Sequence, residues 1–363
     1  MRSDEELRRL VSHHPVAVAL VMILARRTMG SSRCATALLF AAVMLLLTSA
    51  PSKAQNVVQP MLSLETKMVL GDVKGRIDHM ALDPARNRLF VAELENNSLG
   101  VVDLNERKVV HRITGLTEPQ GVAYEPASDT VYVANGGDGS VRLYRGSDYT
   151  ETGRIALGDD ADNIRIHPGT GQILVGYGAG AIATINPTTR AKIADFRLPA
   201  HPESFQLDRK TNQVFVNVPG AKTIVVLDSV SGQRKANWSA KEGGGNFPMA
   251  LDEEAQHVIV AYRTPPRLAI LSTGGEGIAS HELCGDADDV FVDPKRARIY
   301  VSCGQGFLDV IDARDANRGR LVRVPTTPGA RTSYYVASLD RLFLAVRATS
   351  AQPAAIWVYR PAP

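Results

Sequence analysis

Apolar and polar positions alternate in short runs along most of the chain, and the runs recur. Met80 and Leu82 alternate with small or polar neighbours, and the polar segment 83–88 turns the chain into Leu89-Phe90-Val91. A second turn over 95–98 leads to Leu99–Val102, and Val109–Ile113 forms a fourth run. The leading run keeps its phase later as Val122 and Tyr124, Ile164 and Ile166, Phe205 and Leu207, Met249 and Leu251, and Val290 and Val292. Alternation over about 4–8 residues between turn residues predicts β-strands, and no stretch beyond the first 54 residues sustains a helical period.

The unit of four strands repeats seven times. The proline of the first polar turn, Pro84, has equivalents at Pro126, Pro168, Arg209, Glu253, Pro294 and Ala337, at intervals of 42, 42, 41, 44, 41 and 43 residues. Differences of one to three residues are what surface loops tolerate. A second marker keeps step: Asp103, Arg145, Asn186, Asp228, Ser272 and Asp312 close the third strand, where a short polar side chain can bond the backbone of a tight turn. One such sheet cannot bury both its faces, whereas seven packed around an axis cover one another. The predicted fold is therefore all-β: a seven-bladed β-propeller of four-stranded blades.

The ends predict how the ring closes. The last repeat stops at Ile356–Tyr359 with no fourth strand after it, while Leu64–His79 parallels the fourth strand and exit loop of the first repeat, Arg107–Gly121. The N-terminal strand is expected to complete the seventh blade, which removes exposed sheet edges. The predicted organisation is a leader over residues 1–54, a short extension over 55–62 and the propeller over 63–363.

The leader carries a 13-residue apolar run, residues 35–47, preceded by Arg33 and followed by Ser52-Lys53-Ala54. A short apolar core with a basic front and a small-x-small end reads as a signal peptide cleaved after Ala54, with Met29 as a possible start. The expected localisation is periplasmic or secreted, with no stable membrane span in the mature chain; an uncleaved anchor is the alternative. Cys34 precedes the apolar run and lies outside a lipobox-like context.

Removing the leader changes the charge. Of 41 basic and 38 acidic residues, the first 54 hold seven and three, leaving 34 and 35 and a net charge of −1. A neutral domain without basic runs has no electrostatic footprint for nucleic acid, so none is expected as a partner. Two cysteines remain. Cys284 precedes the sixth blade and Cys303 ends that blade's second strand, two loops that share a face; in an oxidising compartment a local disulfide is expected. No CxxC or Cys/His spacing indicates zinc or c-type haem.

Candidate chemistry lies where the innermost strands begin. Six residues before each turn proline or its equivalent stand Asp78, Gln120, Asp162, Glu203, Phe247, Asp288 and Arg331. The next positions include His79, Asn163 and Asp289. Repetition sets these in a ring at the channel mouth, where Asp78, Asp162, Glu203 and Asp288 could converge on Ca²⁺ or another divalent cation. Crowded carboxylates would also raise one another's pKa and supply a general base. Equally, Asp and Asn at strand starts bond loop backbone, and both readings stay open. His201 and Arg263 fall in loops of the same face. His111, His167, His257 and His281 fall in outer strands or opposite loops and read as structural.

The units at Leu82–Leu104, Tyr124–Tyr144 and Val292–Asp312 resemble the YVTN-type β-propeller repeat of secreted bacterial and archaeal proteins. Its core is matched by Val131-Tyr132-Val133-Ala134-Asn135 and Ile299-Tyr300-Val301-Ser302. The likeness spans residues 63–360, and the architecture is similar to WD40 propellers without their Gly-His…Trp-Asp signature. It implies a fold and leaves function to the site. The expected function is a periplasmic or secreted binding scaffold, a monomer that presents a small-molecule, cell-envelope or protein ligand site at the channel mouth. The alternative is a metal-dependent hydrolase or lyase resembling the propeller lactonases and using the acidic ring. No cofactor residue is identifiable for a quinone- or amine-oxidising role.

Overall fold

The computed structural model describes residues 60–315 and 319–363. The predicted leader, its expected cleavage site and most of the predicted extension lie outside the described residues. Within them the chain forms seven antiparallel four-stranded sheets, with two single turns of 3₁₀ helix at Leu94–Asn96 and Pro219–Ala221. The first blade shows the plan: Met80–Asp83 innermost, then Arg88–Glu93, Ser98–Asp103 and Lys108–Thr114 outermost. Each strand pairs with its neighbour in sequence, so six blades are simple meanders.

The seventh blade is composite, as the chain ends imply. Ser333–Val336, Arg341–Val346 and Ala354–Pro361 supply three strands, and Leu62–Gly71 pairs with the last of them as the fourth. This strand begins at Leu62, inside the predicted extension, because Leu62 is itself buried against the seam between the sixth and seventh blades.

Apolar side chains gather into seven clusters, one at each seam between blades. The closing seam packs Met68, Leu70 and Ile77 with Met80 and Leu89 of the first blade and Phe343 and Ile356 of the last. The inner three strands of the first blade are almost wholly buried while the outermost is largely exposed, since the outermost strand forms the free edge of the blade.

The turn markers behave as their chemistry requires. Asp83 Oδ1 accepts from the amides of Ala85 and Arg86 at 3.0 and 3.1 Å, fixing the turn that contains Pro84. Asp103, Asn186, Asp228, Ser272 and Asp312 likewise accept from the amides that follow them. Arg145 cannot, and the second repeat closes instead by a backbone bond from Tyr149 N to Arg145 O, 2.8 Å. Among the described residues no helix is long and apolar enough to cross a membrane.

Candidate functional site

The innermost strands all start on one face, so their first residues form a collar around the axis. All seven predicted collar positions line one cavity of about 250 Å³ at the mouth. Asn163 and His79 line it too, joined by Arg76, Asp160, His201 and Arg263 from the surrounding loops and strands. Beneath it the channel widens to a cavity of about 470 Å³, where Asp289 lies; His79 and Ser204 line both.

Arginines meet the carboxylates, Arg76 from the same loop and Arg263 and Arg331 across blade seams. Arg76 Nη2 lies 3.0 Å from Asp78 Oδ2. Arg263 pairs with Asp288 and stacks on Phe247, its guanidinium carbon 3.9 Å from the ring centroid. Arg331 reaches Asp286 at 2.8 Å and, through Nε, Asp288 Oδ2 at 3.0 Å. Gln120 Nε2 donates to Asp160 Oδ1 at 3.3 Å, and His201 Nδ1 is 3.5 Å from Asp160 Oδ2.

His79 lies between layers, with Nε2 3.7 Å from Asp78 Oδ1 and Nδ1 4.0 Å from Asp289 Oδ1. Burial works against its charge, but Asp78, Asp289 and Asp162 outweigh that and hold its pKa above the usual histidine value. Burial, with Asp78 adding to it against the pull of His79, pushes Asp162 up to about 6. Burial and Asp288 push Asp289 up to about 7, again against His79. Glu203 rises furthest, to about 9, through burial and the charges of Asp162 and Asp288. At neutral pH Glu203 is therefore a protonated acid able to donate a hydrogen bond. The crowding of carboxylates expected from the sequence is what sets these values, together with burial.

Two of the four carboxylates considered for a cation, Asp78 and Asp288, already face guanidiniums. Among the described residues no group of three or more His, Cys, Asp or Glu side chains is disposed to hold a metal ion. The donor set thus fits a salt-bridged collar better than an oxygen cage for a hard cation.

Three groups of the mouth hold a buried polar atom without a hydrogen bond, Arg76 Nε, Arg331 Nε and Asn163 Oδ1, and Asn163 supplies the acceptor among them. Its Nδ2 donates to Asp162 Oδ2 at 3.2 Å, while its buried Oδ1 has no hydrogen-bond partner. Only 3% of this residue is exposed, and it lines the mouth. A buried acceptor at a cavity wall is open to a donor from whatever enters the cavity.

The comparisons with known proteins bear on the fold. No family model matches the sequence, and no curated protein matches it. Among solved structures, the chain is similar to a chain of hydrazine synthase from Kuenenia stuttgartiensis, with a TM-score of 0.70 and 18% identity over 81% of this chain and 99% of that one. At that identity the likeness is one of fold: a propeller.

Cys284 and Cys303 are joined by a disulfide beside the mouth, with Cα atoms 5.8 Å apart. Of the other histidines, His111 stacks on Tyr149 at 4.9 Å. His167 is buried with Nε2 3.2 Å from Ser229 Oγ. Sequence reasoning missed Arg76 and Asp160, which precede the strands in loops that carry no repeat marker. Arg263 and His201 lie on the face that their blade positions predict, Arg263 at the end of a strand rather than in a loop.

Proposed function

We propose that this chain is a binding propeller outside the cytoplasm that takes a small polar ligand at the mouth of its central channel. The observation that carries the reading is the unpartnered acceptor Oδ1 of buried Asn163 in the wall of a mouth cavity crowded with charged side chains. Fixed ion pairs around it give a preorganised collar, and protonated Glu203 adds a donor. The signal-peptide pattern, the disulfide and the resemblance to YVTN-type repeats support an extracytoplasmic location. The test is a thermal-shift screen of small polar compounds against the wild type and Asn163→Leu. Loss in the variant of the stabilisation by at least one compound supports the reading; stabilisation by every compound indifferent to the variant contradicts it.

One observation favours a second reading as a hydrolase or lyase. Asp162 and Asp289, both acting on His79, have pKa values raised to about 6 and 7, which suits them to exchange protons with a bound substrate. Turnover of a simple lactone by the wild type, abolished in Asp289→Asn with the fold intact, would establish it.

A further inference from the structure

Below the collar, the positions three residues before each turn proline or its equivalent form a waist that lines the channel cavity. Three are alanines, and the others are Gln206, Phe291, Tyr334 and Arg165. Arg165 is the single charged member, from the third blade. One of its N–H groups donates to the Ile164 carbonyl at 2.8 Å, and its guanidinium carbon lies 5.6 Å from the Phe205 ring centroid. Among the described residues no carboxylate stands at ion-pair distance from it. Asp289 and Asp162 act on it only from farther away, and burial holds its pKa below the usual guanidinium value.

An unpaired guanidinium in a partly desolvated channel is a costly arrangement that an anion would relieve. Its planar fork of donors matches a carboxylate. Across the ring, the sixth and seventh blades present Phe291 and Tyr334, packed edge-on with centroids 6.2 Å apart. Met80, Met249 and Val290 extend this apolar lining. A cavity of about 470 Å³ is far larger than a lone inorganic ion needs.

We propose that the channel takes a small organic monocarboxylate. Its carboxylate pairs with Arg165, its body lies against the Phe291–Tyr334 side, and any polar end reaches the collar. The assignment rests on the reading of the mouth as a ligand site. A doubly charged phosphate ester fits less well, because one guanidinium balances one negative charge and Asp289 and Asp162 stand nearby.

The test is calorimetric titration of the purified protein with acetate, pyruvate and benzoate, and with benzamide and phenyl phosphate as contrasts. Arg165→Met, Arg165→Lys and Asn163→Leu are titrated alongside. Benzoate is expected to bind the wild type at least tenfold more tightly than benzamide or phenyl phosphate. Arg165→Met loses that advantage and Arg165→Lys regains part of it. Without ligand, Arg165→Met melts no lower than the wild type, which separates lost binding from lost folding. Failure of all three carboxylates to bind, or equal binding by Arg165→Met, overturns the proposal. Equal or tighter binding of benzamide or phenyl phosphate overturns it as well. Benzoate fills the waist alone, so Asn163→Leu leaves its binding in place. A larger compound that loses binding only in Asn163→Leu, with benzoate indifferent to Arg165→Met, upholds the mouth and overturns the carboxylate. The reverse pattern upholds the carboxylate and overturns the mouth.

Discussion

Arg331 Nε lies 3.0 Å from Asp288 Oδ2, so a guanidinium of the seventh blade neutralises a carboxylate of the sixth at the channel mouth. Arg263 meets the same carboxylate from the fifth blade. Three blades are thereby tied at one point of the collar. A divalent cation would have to displace both arginines to use Asp288.

Melting curves in EDTA and in excess calcium are accordingly expected to coincide. A ligand at about 100 times its Kd adds roughly 2.7 kcal/mol, which a melt resolves easily. A calcium-dependent rise of that size, absent in Asp288→Ala, would show that the cation outcompetes the arginines.

Stability should fall as pH rises. Asp162, Asp289 and Glu203 have folded pKa values raised to about 6, 7 and 9, above their ordinary carboxylate values. The folded state therefore binds more protons than the unfolded state between about pH 4 and 9, and stability is lost across that window as the groups ionise. The raised pKa of His79 acts in the same direction. Glu203→Gln, which cannot ionise, is expected to gain at least about 1 kcal/mol at pH 8, roughly 2–4 °C in Tm, and little at pH 4. A Glu203→Gln protein with the wild-type pH profile would remove Glu203 from this account.

The ring depends on its composite blade. Leu62, Met68 and Leu70 are each no more than 3% exposed, and burying such side chains contributes about 1.5–3 kcal/mol apiece. Their sum rivals the whole stability of an ordinary domain. Deletion of residues 61–71 should thus abolish cooperative folding, and an unchanged melt would refute the closure argument.

The seven blades were legible because radial repetition makes equivalent residues comparable. The proline turns, the third-strand closers and the missing last strand all point one way. The same equivalence located the collar, since Asp78, Asp162, Glu203 and Asp288 occupy one position of the repeat. Arg331, which meets Asp288, shares that position, but the other partners of those acids were not legible. Arg263 reaches Asp288 from the second strand of the preceding blade, and Arg76 approaches from an irregular loop, so neither shares a repeat position with its partner. The waist was present in the repeat register, three residues nearer the proline, but the position is charged in one repeat alone, at Arg165, so the register carries no recurring signal to mark it.

The disulfide between Cys284 and Cys303 clamps a loop beside the mouth. Closing a segment with a sequence separation of 19 is worth about 3 kcal/mol in chain entropy. Dithiothreitol, or Cys284→Ser with Cys303→Ser, should lower the melt by several degrees while leaving the β circular dichroism intact. No change on reduction would show that the two sulfurs are not bonded in solution.

The most direct test of the mouth as a ligand site is a crystal structure of the protein with a polar compound, larger than benzoate, that stabilises it. The account predicts density in the mouth cavity, with a donor of the compound at hydrogen-bond distance from Asn163 Oδ1. Density confined to the outer strands or to the opposite face, with the mouth unaltered, would contradict it.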